Sequence, residues 1–517
     1  MNKRKKLLIS LSSIILFVLL ICLFVWLIFV SFGISANTIY WLVSAFLVYV
    51  AQIITSFYLL NSKKRIINVK LCWIFVISSI PVFGLFGFFI FGIIPFKSKS
   101  IEQIHEDNKP FSKCEDFTFT NKMIDEKKDY IEEFLFSYNF ELSPVYENNK
   151  IDIIKQSEVF KQSIELIRKA KEFIHIQFYI VSDSVWFNLL LEEIAKKRKD
   201  NVKVRFMYDW VGSHKRFHQR SVRMLRQMGI EVEVFNPKII TKYTSATNFR
   251  SHRKCIIVDN KYCLTGGSNI GDEYINMRKK YNNWTDLNFL IEGEIVNSIN
   301  LRFCNDWINY SSYKKRNDKN DEFYKEFKIH KANTKTIAQI VNSTPEVKPN
   351  NFESLLSFLI SNAKKSIWIT TPYLLLPEHI INQLLFASVK GIDVKIVVPN
   401  LPDDKKYILT INRNSSIKMI ESNIKIFEYS GFVHSKSIII DDEISVIGSN
   451  NMDFRSLMIN FETAILVKSK TMNLNLRNIF KDYLKNSIKI DNEFLKRNYK
   501  LSNKIQMLFV NIIQPLL

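Results

Sequence analysis

The chain has 517 residues, 47% of them hydrophobic, with 72 Lys and Arg against 50 Asp and Glu, a net charge of +22. That length exceeds one ordinary core and fits two or three domains, and the apolar share excludes a disordered chain. The charge is unevenly placed: residues 1–100 hold ten basic and no acidic side chains, leaving 62 basic and 50 acidic ones, a net of +12, for the other 417.

The N-terminal Lys3-Arg4-Lys5-Lys6 cluster precedes an apolar run from Leu7 to about Phe32. A secretory peptide has an apolar core of only about 7–15 residues. Ile34 also fits poorly two places before the small residue Ala36, so an uncleaved span is expected. Two further uncharged runs follow at 38–60 and 71–96. Each reaches the ~20 residues that cross a ~30 Å hydrocarbon core. Residues 1–100 are therefore expected to be a membrane anchor of two to three transmembrane helices, in a multi-pass protein of the cell membrane. Basic residues before the first run and at 63–70 place the 33–37 loop outside. Pro81, Gly84, Gly87, Gly92 and Pro95 interrupt the third run. They allow a kink or a re-entrant turn, which leaves open the side on which the rest of the chain lies.

Residues 101–150 are polar and read as a linker with a short helix. A pattern then appears twice, over 151–325 and 326–517. The first copy has strand-like runs at 172–181, 202–208 and 230–235, with helices near 185–199 and 217–228. The second has strands at 366–371, 392–398 and 424–428, with helices near 377–390 and 410–421. Strands alternating with helices predict an α/β fold of two repeats, with mostly parallel sheets packed face to face.

Each copy closes on the same unusual string. The first is His252-Arg253-Lys254 with Asp259 and, behind it, Gly266-Gly267-Ser268-Asn269. The second is His434-Ser435-Lys436 with Asp441, then Gly448-Ser449-Asn450-Asn451. His to Lys is two positions, His to Asp seven and His to Asn seventeen in both, and the two strings lie 182 residues apart. Residues two apart on a strand share a face, so each His projects with its Lys. The odd offset of seven turns Asp259 and Asp441 away and suggests a structural part for them. Asn269 and Asn451 follow a glycine turn where backbone comes close to a ligand. Two imidazoles in a pocket of cations and neutral donors suit a phosphodiester. One His attacks phosphorus, the other protonates the leaving oxygen, and Lys and Asn hold the charged oxygens.

A catalytic His needs a partner on its second ring nitrogen. The nearest downstream candidates are Asp286 after the first string and Glu462 after the second. Cys22, Cys72, Cys114, Cys255, Cys263 and Cys304 form no metal-binding spacing. No metal, cofactor or structural disulfide is expected, and Cys255 and Cys263 read as small buried residues.

The paired His-x-Lys-x4-Asp strings resemble the phospholipase D superfamily. Gly266 to Tyr274, Tyr208-Asp209 with Gly212-Ser213, Thr371-Pro372-Tyr373, Asn451 to Ser456 and Pro81 to Gly84 resemble its bacterial cardiolipin synthase branch. The resemblance covers about 38–517. It implies a two-step transfer through a phosphohistidine, making cardiolipin and glycerol from two phosphatidylglycerol molecules without a cofactor. His252 is the expected nucleophile and His434 the acid/base. In that family the catalytic set is His252, Lys254, Asp259, His434, Lys436 and Asp441. Thr285 and Asp404 depart from the branch, which usually has Arg and often His there. The implied partners are a phospholipid substrate and an anionic membrane, not nucleic acid. A phosphatidylserine synthase, a plain phospholipase D, a nuclease and a non-catalytic membrane scaffold are the alternatives. The apolar C-terminus, 503–517, suits either an interfacial segment or docking on the domain.

Overall fold

The computed structural model describes residues 36–62, 67–92, 102–103, 112–126, 132–236, 249–277, 284–311, 327–347, 350–402 and 407–498. The apolar run at 7–32, Asp404 and the C-terminal segment lie outside them. The described residues fall into an apolar N-terminal unit and a larger second unit.

In the N-terminal unit the second apolar run forms the helix Ala36–Asn61. Its Asn37–Asn61 stretch is the one helix among the described residues long and apolar enough to cross a membrane. At 1.5 Å per residue, 25 residues span about 38 Å. The third run does not form a single crossing helix. It breaks into Ile67–Ser79, Pro81–Gly87 and a π-helical turn at Phe88–Gly92. The cause is Pro81, which lacks an N–H and disfavours helix at the residue before it; Ile80 has left the helical region (φ −134°, ψ 76°). Leu59, Trp73, Ile77, Leu85 and Phe88 pack the pieces together. A Cβ on Gly84 would lie 2.5 Å from the Val76 carbonyl oxygen, so only glycine permits that approach. Trp41, Phe57 and Phe83 face outward, a surface suited to lipid.

The second unit contains a sheet from each repeat. In order across the first are Asn149–Lys155, Leu287–Gly293, Tyr262–Gly266, Cys255–Val258, Phe173–Phe178, Lys203–Asp209 and Glu231–Phe235. The nine-stranded second sheet repeats this order from Ile337–Ser343 through Glu462–Lys468, Ile444–Gly448, Ser437–Ile440, Ser366–Thr370 and Asp393–Pro399 to Lys425–Tyr429. Val145–Tyr146 and Ser487–Ile490 are its edges.

Both sheets are mixed, contrary to the expected mostly parallel arrangement. Only the three strands linked by helices run parallel in each, such as Phe173–Phe178 with Lys203–Asp209 and that strand with Glu231–Phe235. Crossover helices produce parallel neighbours, whereas a short link forces antiparallel ones. Residues 259–261 join Cys255–Val258 to Tyr262–Gly266 as such a hairpin, and the following strand also returns antiparallel.

The helices lie close to the expected positions, at Val185–Lys199, Gln219–Gln227, Glu378–Val389 and Tyr407–Glu421. Residues 101–150 hold more than a linker. Met123 and Phe134, from the helices Thr118–Glu126 and Glu132–Glu141, enter the core of the second repeat. Helix Ile295–Tyr310 packs on the first sheet and against Ile337–Ser343 of the second. The repeats also join by parallel pairing of Trp284–Thr285 with Phe432–Val433.

Candidate active site

His252 and Lys254 stand in extended chain just before the strand Cys255–Val258, and His434 and Lys436 just before Ser437–Ile440. The Lys254 ammonium donates to the His252 carbonyl oxygen at 2.7 Å, and the Lys436 ammonium donates likewise to the His434 carbonyl oxygen. Both lysines and His434 are buried, and the His252 side chain is 12% exposed.

The orienting carboxylates cross between repeats. Glu462, in the second repeat, lies 3.0 Å from His252 Nδ1 in the first. Asp286, in the first, lies 2.7 Å from His434 Nδ1 in the second. The candidate downstream of each string, Asp286 for His252 and Glu462 for His434, is therefore the partner of the other histidine. Backbone pairing brings this about: the His252 N–H donates to the Phe461 carbonyl, directly before Glu462, and the His434 N–H donates to the Thr285 carbonyl, directly before Asp286. With a carboxylate at each Nδ1, the proton is assigned to that nitrogen; at His434 the Lys436 ammonium also lies 2.9 Å from Nδ1. Nε2 is then left without a protein partner among the described residues.

Glu462 also accepts from the hydroxyls of Ser449 (2.5 Å) and Ser456 (2.8 Å) and from the Asn460 amide (3.3 Å). Asp286 accepts the backbone N–H of Leu287 at 2.8 Å. The Ser449 position is Gly267 in the first repeat, where a Cβ would come within 2.0 Å of Asp286 Oδ1. One repeat thus holds its carboxylate with a hydroxyl, and the other makes room for it by having no side chain.

Asp259 and Asp441 lie at the opposite end of the motif strands from the histidines. Both have left-handed φ, 52° and 50°. The Asp259 carboxylate accepts the N–H groups of Lys171, Glu172 and Phe173 at 2.7–2.9 Å, and Asp441 accepts those of Lys364, Lys365 and Ser366 at 2.7–2.9 Å. They tie each motif strand to its neighbour and make no hydrogen bond to the motif histidines or lysines, His252, Lys254, His434 and Lys436, among the described residues.

The two asparagines differ. Asn269 is occupied, accepting from the Ile180 N–H at 3.0 Å and donating to the Tyr274 hydroxyl at 3.1 Å. Asn451 is buried, and its side-chain carbonyl oxygen has no hydrogen-bond partner among the described residues. Cys255 and Cys263 are buried in the sheet, as expected.

Burial governs the charges. It pushes Lys254 down to about 7 and Lys436 down to about 8, with Glu462 and Asp286 opposing the fall in both. Burial, reinforced by Lys436, takes His434 to about 3, and burial also lowers His252 against the opposing pull of Glu462. Burial works against the Glu462 carboxylate too, but His252, Lys254 and Ser449 outweigh it and hold the carboxyl below its usual range. Lys254 and Lys436 each bear on the other motif's His, so the two motifs share one electrostatic site.

A further buried frame lies behind His252. The Arg253 guanidinium meets Asp306 at 2.5 Å and donates to the Thr463 hydroxyl at 2.9 Å. Arg250 meets Asp209 at 3.0 Å, and Asp209 also accepts the Ser251 N–H. The sequence motifs include Asp209 but assign it no partner, and they point to none of Arg250, Asp306 and Thr463. The signal for one was visible: Arg253 and Ser435 occupy equivalent places, and a cation inside a buried string needs a counter-ion.

Residues 163–307 and 356–484 match the family model described as "Cardiolipin synthase, PLD-like domain". The chain is 33% identical over 397 residues to a cardiolipin synthase of Alkalihalophilus pseudofirmus, covering 76% of this chain and 78% of that one. It is 32% identical over 443 residues to one from Halalkalibacterium halodurans, covering 84% and 86%. The phosphatidylserine synthase of Haemophilus influenzae shares the fold, with a TM-score of 0.55 at 16% identity, over 71% of this chain and 95% of that one. The family match and the two cardiolipin synthase relatives make the chain a phosphatidyltransferase of phospholipase D type that acts on phospholipid. Within that class, the chain belongs to the cardiolipin synthase family.

Proposed function

We propose that the enzyme makes cardiolipin and glycerol from two molecules of phosphatidylglycerol through a phosphohistidine on His252. In the first step His252 Nε2 attacks phosphorus, the bond to the headgroup glycerol breaks, and His434 protonates the departing oxygen. In the second a headgroup hydroxyl of another phosphatidylglycerol attacks, its proton passes to His434, and the P–N bond breaks to restore His252. Glu462 and Asp286 keep the Nδ1 protons in place while Nε2 reacts. Lys254 and Lys436 balance the phosphate charge, and the Asn451 amide supplies a neutral polar group. Both histidines start below their usual range; the negative charge of a bound phosphodiester raises them again, so substrate itself readies the acid.

The observation that carries this reading is the exchange of carboxylates, which gathers two oriented imidazoles and two ammonium groups into one site. We place the enzyme in the membrane through the helix Asn37–Asn61. The test is to incubate the purified full chain with phosphatidylglycerol. Cardiolipin and glycerol should appear together; phosphatidic acid without cardiolipin would make it a hydrolase instead.

A further inference from the structure

Helix Gln219–Gln227 buries Val222 and Leu225 against the first sheet and turns Arg220, Arg223 and Arg226 outward. No acidic residue occurs from His214 to Ile230; the acids that reach this segment, Glu273 at Arg216 and Asp183 at His218, meet it before the helix begins. Arg226 donates to the Val232 carbonyl, but Lys215, Arg220 and Arg223 are exposed and make no hydrogen bond or ion pair among the described residues. Arg198 extends this row at the far end, donating to the Met228 carbonyl at 3.2 Å.

Other exposed helices of the unit mix their signs, as in the Lys161–Glu165 and Lys485–Asp482 pairs. Like charges one turn apart oppose helix formation, and solubility needs no such row. A single-sign face is instead what an anionic surface attracts. The near end of the row lies close to the catalytic frame. Lys215 follows the short helix Trp210–Ser213, which starts at Asp209, and Asp209 holds Arg250 and Ser251 directly before His252. Trp210 stacks on the exposed His214 at 4.3 Å.

We propose that Lys215, Arg220 and Arg223 form a docking face by which the catalytic unit lies against anionic lipid, the bilayer that holds its substrate. This rests on the reading of a phospholipid substrate. It assigns the lipid contact to a charged helix face outside the catalytic pocket.

The test uses the full chain in proteoliposomes of phosphatidylcholine, with or without 30% phosphatidylserine. A fluorophore on Arg223→Cys should be quenched by lipid-borne nitroxide only when the anionic lipid is present, and 0.5 M NaCl should release it. A label on Lys390→Cys, in the second repeat, controls for general proximity. In a second arm, Lys215→Glu/Arg220→Glu/Arg223→Glu should lose roughly ten-fold or more in turnover of vesicle-borne phosphatidylglycerol at low salt, at about five-fold per charge as an upper bound. Its turnover of detergent-dispersed substrate should match the unmodified protein. Quenching that ignores phosphatidylserine, or equal vesicle turnover, overturns the docking face. Capture of single-stranded DNA by the unmodified chain but not the triple variant, with no vesicle effect, overturns it in favour of nucleic acid. Absence of any product in detergent from the unmodified protein would instead refute the proposed reaction, and the quenching arm would still decide the docking.

Discussion

His252 Nδ1 lies 3.0 Å from the carboxylate of Glu462, a residue 210 positions further along the chain and in the other repeat. The mirror contact joins His434 to Asp286. Glu462→Gln should keep the fold and the hydrogen bonds to Ser449 and Ser456 while losing the charge that steadies His252. We expect kcat to fall by about 10²–10⁴, the range for losing an orienting carboxylate or an acid–base contribution. Quenched-flow trapping with phosphorus-labelled phosphatidylglycerol should show slower labelling of His252. Unchanged labelling would refute the cross-repeat role.

Gly267→Ala tests the other half. The added methyl would meet Asp286 and displace it from His434. Overpacking of this kind costs about 1–3 kcal/mol, so the melting temperature should fall modestly. The loss of kcat should be larger, on the order of 10–100-fold, as for a displaced supporting partner. Steady-state kinetics beside thermal unfolding separates the two effects.

The pH profile should carry the mark of burial. Lys254 and Lys436, lowered to about 7 and about 8, lose their charge as pH rises through those values, earlier than an ordinary lysine. In detergent, kcat/KM should therefore decline above about pH 7–8 as phosphate binding weakens. Lys254→Arg keeps its charge throughout and should move that limb upward even if the maximum rate is lower. A profile unchanged by this substitution would remove Lys254 from the alkaline limb.

The buried pair Arg253–Asp306 predicts an asymmetry between single and double changes. Arg253→Met alone strands the Asp306 carboxylate, and breaking such a pair costs about 3–5 kcal/mol. Arg253→Met with Asp306→Leu removes both charges and should recover much of that stability by denaturant unfolding. Equal destabilisation in the single and double variants would show that the pair is not coupled.

Repetition made the parallel strands, their helices and both motif strings legible, because each is a local pattern and the second copy checks the first. The antiparallel half of each sheet was harder to read. Strands such as Asn149–Lys155 and Ile337–Ser343 have no helix crossover to announce their direction, and they pair with chain far away. Asp286 and Glu462 were recognisable as acids at strand starts, but their pairing depends on how the repeats meet. Nothing local distinguishes a carboxylate that serves its own repeat from one that serves the other. Asp259 and Asp441 show another case. The odd spacing suggests a structural part, but what separates them from the histidines is their place in a left-handed turn at the far end of each motif strand, where they hold backbone N–H groups.

The exchanged carboxylates also bear on the chain while it is being made. A ribosome that stops after the first repeat releases His252 without Glu462, and Asp286 without its histidine. In such a fragment the His252 ring lacks the carboxylate that fixes its proton, so on the proposed mechanism it is poorly equipped to attack the lipids around it. On the proposed mechanism, competence arrives only when the strand Glu462–Lys468 is translated and seated, which makes its arrival a safeguard against stray phospholipid cleavage.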